Sequence, residues 1–203
     1  EDVVGFTLMN GDTLMLGSVN DQAGEVFRWT GCRWQSIVTH PSQFKGLNGW
    51  AASDLEMNGN VIVGGIFNQA GPIRVRNIAS WDGQEWKALG SGLPGYVRSL
   101  TSYRGQLVCI FDAGQDSIGF WDGAHWTSLD APFGSGVQVI QEFEGDLMVA
   151  FVSYEGPRSG VARWDGSSWT LIGQAEQGDI QAMYAFGGQL FLGGDFTSMN
   201  EVP

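Results

Sequence analysis

The stretch WDGQEW at residues 81–86 recurs along the chain, as WTGCRW at 29–34, WDGAHW at 121–126 and WDGSSW at 164–169. Successive copies start 52, 40 and 43 residues apart, and together they hold eight of the nine tryptophans. A period of this length is typical of repeated β-sheet units and exceeds that of leucine-rich repeats. The pattern therefore predicts one structural unit per copy, with these tryptophans at equivalent places: Trp29, Trp34, Trp81, Trp86, Trp121, Trp126, Trp164 and Trp169.

The composition favours strands and turns over helices. The 203 residues include 31 Gly and 12 Phe but only two lysines, a mixture that suits short strands and tight turns. The net charge of −12 argues against binding to nucleic acid or to anionic membranes, because the densest cationic cluster is only Arg74 with Arg76. No apolar stretch reaches the roughly 18 residues of a transmembrane helix. The opening residues, EDVVGF, resemble neither a signal peptide nor a Met start, so we expect a processed chain or part of a longer one.

A glycine turn precedes each apolar run of the repeat. The runs read TLMLGSV, NVIVGGIF, QLVCIF, DLMVAFV and QLFLGGDF. They are rich in β-branched and aromatic residues and too short for buried helices, so each is predicted to be a strand covered on both faces. Five turns against four Trp pairs indicate that the last unit is incomplete. The turn glycines are Gly11, Gly59, Gly105, Gly145 and Gly188.

Residues 97–129 contain one complete unit. The segments VRSLTSY, QLVCIF, SIGFW and HWTSL are predicted to be four antiparallel strands, with turns at Arg104-Gly105 and Asp122-Gly123. Asn-Gly and Asp-Gly pairs elsewhere in the repeat accept the positive φ angles of hairpin turns. A sheet with two apolar faces must stack on its neighbours, and radial stacking gives a propeller. We therefore predict an all-β fold, a β-propeller of four-stranded antiparallel blades, with four complete blades and the first two strands of a fifth.

The repeat resembles the kelch family and, more closely, secreted bacterial repeats and fungal cortical surface proteins whose blades read G-x-L-x-x-G-G-x-F followed by W-D-G-x-x-W-x-x-L-G. Here NVIVGGIF with WDGQEWKALG matches that pattern, and QLFLGGDF matches its first half. The resemblance implies a propeller fold and an extracellular or cell-surface location, and it specifies no activity. We predict a single propeller segment over 1–203, with blades at 1–48, 49–94, 95–134 and 135–177 and a partial fifth at 178–203.

The last repeat lacks its second half. After Phe196 the sequence continues only as TSMNEVP, where the pattern calls for two more strands and a Trp pair. An open, apolar strand edge is a feature that soluble proteins avoid. The missing strands are therefore predicted to come from a removed continuation, a second chain or a neighbouring copy. Separately, we expect each Trp pair of the complete blades to place at least one ring against the adjacent blade.

No catalytic constellation emerges from the sequence. His40 and His125 lie at non-equivalent places, and the tyrosines do not match the ligand motif of the copper-dependent sugar oxidases found on some kelch-like propellers. Cys32 and Cys109 have no zinc spacing and are expected to be free, mostly buried thiols. The chain is predicted to be non-enzymatic, with no metal or cofactor. A hydrolase or oxidase with a pocket at the central channel is the third alternative, and it would draw on Asp54, Glu56, Glu142, Glu144 and Asp179.

Binding is the favoured function, and the variable loops are its predicted location. The turns on one rim are short and uniform, whereas loops such as NQAGPIRVRN, DAGQD and SYEGPRSG vary, as recognition loops on a rigid scaffold do. A protein partner or self-assembly is the leading prediction. A glycan is the alternative, suggested by Tyr154 beside Glu155. The predicted contact residues are Phe44, Lys45, Arg74, Arg76, Asp112, Asp116, Tyr154, Glu155 and Arg158.

Overall fold

The computed structural model describes residues 2–9, 12–19, 22–36, 46–130, 136–152 and 159–201. All regular elements in these ranges are β-strands, and they form antiparallel sheets joined in chain order. The described part of the chain contains no helix with the length and hydropathy of a membrane span. The prediction of an all-β fold built from four-stranded antiparallel sheets is confirmed.

Four sheets, called blades 1 to 4, follow one another along the chain, and a hairpin called blade 5 follows them. Blade 1 comprises β1 (Asp2–Met9), β2 (Asp12–Val19), β3 (Gln22–Trp29) and β4 (Trp34–Ser36). Blade 2 comprises β5 (Trp50–Met57), β6 (Asn60–Ile66), β9 (Ile78–Trp81) and β10 (Trp86–Ala88), with a small hairpin of β7 (Gln69–Ala70) and β8 (Ile73–Arg74).

The later blades repeat this order. Blade 3 comprises β11 (Tyr96–Tyr103), β12 (Gln106–Asp112), β13 (Asp116–Trp121) and β14 (Trp126–Asp130). Blade 4 comprises β15 (Gly136–Phe143), β16 (Asp146–Val152), β17 (Ser159–Trp164) and β18 (Trp169–Ala175). Blade 5 is the hairpin of β19 (Ile180–Phe186) and β20 (Gln189–Gly194), and the chain continues into β21 (Met199–Glu201).

The predicted glycine turns join the first two strands of each described blade. Both residues of the turn have positive φ at Asn58-Gly59 (53° and 74°) and at Arg104-Gly105 (51° and 75°). This backbone matches the twist of the flanking strands, and glycine accepts it without a steric penalty. Gly11, predicted to have the same role in blade 1, lies outside the described residues.

The second strand of each of blades 2, 3 and 4 is buried on both faces, as predicted. Five consecutive residues of β6, β12 and β16 are buried. The prediction is wrong for β20, where exposed and half-buried residues alternate. Leu190 and Leu192 pack towards blade 4, whereas Phe191 is 50% exposed. The difference arises because β20 has a neighbouring sheet on only one of its two faces among the described residues.

The W-x-G-x-x-W segments at 29–34, 81–86 and 164–169 are four-residue turns between two directly paired tryptophans. Trp81 pairs with Trp86, and their ring centroids are 5.3 Å apart at an interplanar angle of 52°. Trp164 and Trp169 form the same pair at 5.2 Å. Tilted rings at this distance are a favourable aromatic arrangement. The repeat motif therefore marks the point where the last two strands of a blade meet.

The chain divides into two compact units, Glu1–Leu100 with Asp122–Trp126 and Thr101–Trp121 with Thr127–Pro203. In the first, the Trp126 indole N–H donates to the carbonyl oxygen of Leu89 at 3.0 Å, which joins a Trp pair to the preceding blade as predicted. In the second, Trp164 and Trp169 pack on a core that includes Val108 and Ile118 of blade 3.

The structure also contains a feature that the sequence did not predict. The residues after Phe196 do not begin a third strand beside β20; instead, β21 pairs with β18, with Met199 opposite Ala175. A similar return occurs in blade 2, where Ala70 forms a bridge with Leu47. In blade 2 the returning segment follows Gly64-Gly65, and in blade 5 it follows Gly193-Gly194. Each of these segments pairs with the stretch of chain that precedes its own blade.

The two cysteines are free, as expected, but their surroundings differ. Cys109 is buried within β12, and burial raises the pKa of its thiol to about 12. Cys32 is exposed, which corrects the expectation that both thiols are mostly buried. The reason is local, because Cys32 occupies one of the variable positions of the turn between Trp29 and Trp34.

Candidate functional site

A cleft of about 200 Å³ lies beside blade 2, between the loop that follows β8 and the segment that leaves β10. The first side carries two arginines that the sequence predicted as contact residues. The second side is a glycine-rich stretch. The lining residues are Arg74, Val75, Arg76, Ile78, Ala88, Leu89, Gly90, Ser91 and Gly92.

The small hairpin of β7 and β8 positions Arg74. Arg74 pairs with Gln69 across the hairpin. The hairpin is held to the body of the blade by Asn48, whose amide oxygen accepts hydrogen bonds from the backbone N–H groups of Asn68 (2.9 Å) and Gln69 (2.8 Å). One side chain thus satisfies two backbone donors at the point where the hairpin leaves β6.

Asn77 fixes the backbone beside Arg76. Its φ of 64° is in the left-handed region that Asn tolerates better than most residues. Its N–H donates to Phe67 (2.8 Å), its carbonyl accepts from Gly65 (2.9 Å), and its side-chain amide donates to the Leu93 carbonyl (3.0 Å). These bonds join the end of β6, the cleft and the following segment at one residue.

The glycine-rich side of the cleft packs directly on the Arg76 backbone. Gly92 has a φ of 70°, and a Cβ atom at this position would overlap the Arg76 carbonyl oxygen. The N–H of Leu93 donates to that same carbonyl at 2.9 Å. The backbone of Arg76 is therefore held in place while its side chain remains exposed.

Both arginines are exposed cations without an acidic partner in the part of the chain that the structure describes. Among the residues that the structure describes, no ion pair or side-chain hydrogen bond involves the guanidinium group of Arg74 or Arg76. This is unusual in a chain of net charge −12, where acids outnumber bases 22 to 10. Two guanidinium groups in one cleft supply planar, bidentate donors suited to a carboxylate or another oxyanion.

The position of Arg76 has a different use in other blades. Five residues before the first Trp of the pair, blade 3 has Asp116 and blade 4 has Ser159. Asp116 accepts a hydrogen bond from the Val137 N–H at 2.6 Å, and Ser159 accepts one from the Ile180 N–H at 3.1 Å. Each bond links a blade to the next. A guanidinium group cannot accept such a bond, so Arg76 is not interchangeable with these residues.

The predicted residues Asp112 and Asp116 lie opposite each other on β12 and β13. Asp112 accepts a hydrogen bond from the Gly114 N–H at 2.8 Å within the connecting loop. Both carboxylates thus take part in the local architecture of blade 3. The other five predicted contact residues lie outside the described residues: Phe44, Lys45, Tyr154, Glu155 and Arg158.

The carboxylates that an enzymatic pocket would require are used in part by turns. Glu56 accepts a hydrogen bond from the Gly59 N–H (3.0 Å), and Glu142 accepts one from the Arg104 N–H (3.3 Å). Within the described ranges, no three His, Cys, Asp or Glu side chains converge as the ligands of a metal ion would.

Sequence reasoning missed an exposed apolar pair in blade 2. Trp50 and Ile66 face each other at the ends of β5 and β6, and they are 63% and 53% exposed. Trp50 is the ninth tryptophan, the one outside the repeated motif. That departure from the repeat was the available signal, because a large aromatic residue outside the repeat pattern has no assigned packing role.

No family model matches the chain, and no curated relative matches it. Solved structures of similar fold include YCF48 from Cyanidioschyzon merolae, with a TM-score of 0.63 and 14% identity over 98% of this chain and 69% of that one. The extracellular domain of BT4673, a putative one component system from B. thetaiotaomicron, has a TM-score of 0.66 and 14% identity over 98% of this chain and 27% of that one. The structure of YCF48 bound to D1 peptide has a TM-score of 0.54 and 15% identity over 94% of this chain and 59% of that one.

These likenesses and the order of the sheets define the class of the protein. The chain has a β-propeller fold, in which four-stranded antiparallel blades follow one another along the sequence. At these identities the likeness extends to the fold alone. The chain spans 27% of the BT4673 domain and 69% of YCF48.

Proposed function

We propose that this chain is a non-enzymatic binding module that recognises an acidic segment of another protein through the cleft beside blade 2. The observation that carries the proposal is that Arg74 and Arg76, which have no ion-pair partner among the described residues, line one cleft of a strongly acidic chain. An oxyanion entering the cleft would meet donors that no described acidic group of the protein already occupies. YCF48 bound to D1 peptide supports the proposal in principle, since a propeller of similar fold can present a surface to a peptide.

The kelch-like character of the repeats and an extracellular or cell-surface location are part of the same proposal. They rest on the W-D-G-x-x-W resemblance and are compatible with the extracellular BT4673 domain among the similar folds. A binding module of this kind would owe its selectivity to the loops of individual blades and its rigidity to the repeated sheets.

The test is a binding measurement with charge-neutral arginine variants. Fluorescein-labelled oligoglutamate is titrated with the protein, and binding is followed by fluorescence anisotropy at low and high salt. The double variant Arg74→Gln with Arg76→Gln should lose binding, whereas Arg33→Gln, which changes the same kind of charge at an exposed turn residue, should retain it. Binding by the wild type should weaken with added salt, because exposed charges are screened beyond about 10 Å at 0.1 M salt. Equal binding by both variants would contradict the proposal.

Assembly with another blade is a second candidate function, favoured by the exposed face of blade 5. Tyr184, Phe186 and Phe191 are 65%, 68% and 50% exposed, and Tyr184 pairs directly with Phe191. On the opposite face, Met183 and Leu192 pack against blade 4. Three exposed aromatic residues on one hairpin would be covered if a blade from a second chain or a neighbouring copy packed there.

Mass in solution tests this second candidate. Light scattering on the wild type should report a species larger than the 22.0 kDa chain. The variant Tyr184→Ser with Phe186→Ser should reduce that mass, because it removes the apolar contact. A wild type that stays at the mass of a single chain at all concentrations would exclude self-assembly through this face.

A further inference from the structure

The strand ladder places the Ile66 segment of the exposed pair Trp50 and Ile66 beside Asn77, the residue that follows Arg76. Ile66 lies between Gly65 and Phe67, and both of these hydrogen-bond to Asn77, the chain neighbour of Arg76. Neighbouring strands are about 4.8 Å apart, so the backbone of Ile66 lies one strand spacing from Asn77, next to Arg76 of the cleft. Trp50 lies one strand further away, because it pairs with Ile66.

The fold does not require large apolar residues at this place. The equivalent pair in blade 4 is Gly136 with Val152. In blade 5 the same place has two acids, Asp179 and Asp195, whose backbones are joined by a hydrogen bond of 3.3 Å. The repeat therefore folds with a glycine or with charges at these positions. Trp50 and Ile66 are exposed at a site where packing of the blade does not demand them.

Resting on the function proposed above, we propose that the ligand is an extended peptide in which an aliphatic or aromatic side chain stands beside acidic residues. The carboxylates would contact Arg74 and Arg76, and the apolar side chain would lie on Trp50 and Ile66. Charge complementarity selects an acidic partner, since the two arginines are cations in a chain of net charge −12. Trp and Arg are both among the residue types most enriched at energetically dominant protein contacts.

The apolar contact and the ionic contact make separable contributions. The arginines alone would attract any acidic segment, with strong dependence on salt. Burial of Trp50 and Ile66 would add a contribution that salt does not screen and that depends on the presence of an apolar residue. A peptide with both features should therefore bind more tightly than oligoglutamate, and the gain should persist at high salt.

The experiment compares two labelled peptides, and a labelled sulfated polysaccharide, on four proteins. One peptide is oligoglutamate, and the other is the same oligoglutamate with one central residue replaced by Leu. The proteins are the wild type, Trp50→Ser, the arginine double variant, and Trp29→Ser as a control at another partly exposed tryptophan. Circular dichroism and thermal unfolding of each variant verify that it is folded before binding is measured.

We expect the Leu-containing peptide to bind the wild type about tenfold more tightly than oligoglutamate, a difference typical of one buried anchor residue. Trp50→Ser should abolish that advantage and leave the affinity for oligoglutamate unchanged, whereas Trp29→Ser should preserve it. Equal affinities of the two peptides for the wild type, both dependent on the arginines, would overturn the inference and leave the proposed function intact. No binding of either peptide would overturn both. Tighter binding of a sulfated polysaccharide, with no response to Leu, would assign the cleft to glycans and overturn the inference.

Discussion

The aspartates of the W-D-G-x-x-W motif are structural residues that organise the turn between the last two strands. Each accepts hydrogen bonds from two backbone N–H groups through one oxygen: Asp82 from Gln84 and Glu85, and Asp165 from Ser167 and Ser168. The following glycine has positive φ, which completes the reversal. A carboxylate is preferred over a neutral side chain here because charge-assisted bonds to backbone donors are stronger.

These bonds have a consequence for acid stability. The Lys87 ammonium, 2.7 Å from the Asp82 carboxylate, and the backbone donors lower the pKa of Asp82 to about 2, and backbone bonds lower the pKa of Asp122 and Asp165 as well. A carboxyl group with a depressed folded-state pKa stabilises the fold above its ordinary pKa, near 4, and that contribution is lost as the pH falls towards 2. The wild type should therefore lose thermal stability over this range.

The matched variant is Asp165→Asn, which keeps an acceptor oxygen but does not titrate. It should be less stable than the wild type at pH 7 and should show a smaller fall in melting temperature between about pH 4 and pH 2. Differential scanning calorimetry across that range measures both. A wild type and variant with parallel pH profiles would contradict the assigned role of Asp165.

The two cysteines should differ in chemical reactivity. Cys32 is exposed on a turn, whereas Cys109 is buried in β12 with its pKa raised to about 12 by desolvation. Because the thiolate is the reacting species, Cys109 should not react with iodoacetamide at pH 8 in the folded protein, while Cys32 should. Mass spectrometry should find one label per native chain and two after denaturation. Labelling of Cys109 under native conditions would show that β12 opens readily.

At the scale of the element, a pair of adjacent glycines in the second strand decides how a blade connects to the chain that precedes it. The pairs are Gly64-Gly65 in β6 and Gly193-Gly194 in β20. Gly65 and Gly194 stand where the first strand bulges, and a Cβ at either would overlap a carbonyl oxygen of that strand, at Trp50 or at Asp179. After each pair the chain turns back and packs a phenylalanine: Phe67 is buried in blade 2, and Phe196 is partly buried against blade 4. Blades 3 and 4 have no such glycine pair in their second strands.

Two adjacent substitutions test this role of the glycine pair. Gly194→Ala should lower the free energy of unfolding by about 1–3 kcal/mol or more, because the added methyl group meets the backbone of Asp179. Gly193→Ala should have a much smaller effect, since its nearest neighbour would be the Ala182 Cβ at 3.7 Å, an ordinary contact. Urea denaturation provides both values. Equal effects at the two positions would exclude close backbone approach as the reason for the second glycine.

At the scale of the whole molecule, the blades share a framework but differ in how one position is used. Blades 3 and 4 use Asp116 and Ser159 to accept an N–H from the next blade, and blade 2 has Arg76 there. The two arginines, the glycine-rich segment and the exposed Trp50 all belong to blade 2 and its connections. Binding is therefore proposed at the blade that departs from the repeat, while the regular blades provide rigidity.

The link between blades 3 and 4 can be measured directly. Asp116→Ala should reduce the free energy of unfolding by about 1–3 kcal/mol, because it leaves the partly buried Val137 N–H without its acceptor. Asp116→Asn retains an acceptor oxygen and should recover most of that loss. Chemical denaturation of the two variants provides the comparison. If Ala and Asn proved equally stable, the hydrogen bond to Val137 would not stabilise the fold.

The sequence by itself determined the all-β fold, the four-stranded order and the places of the turns. These follow from local rules: alternation of apolar residues, turn glycines with positive φ, and Trp pairs that recur at blade spacing. It also singled out Arg74 and Arg76, because they lie in one of the variable loops that a repeated scaffold leaves free for recognition. What it left open was which of the selected residues share a surface.

Only the tertiary structure decided that question. The return of β21 to β18 and of Ala70 to Leu47 depends on pairings between segments distant along the chain, which periodicity does not reveal. The cleft forms because Asn77 brings the end of β6 and the segment after β10 together around Arg76. The exposure of Trp50 likewise depends on which other segments of the folded chain pack against the ends of β5 and β6. Local patterns fix strands and turns, whereas a surface depends on long-range contacts between them.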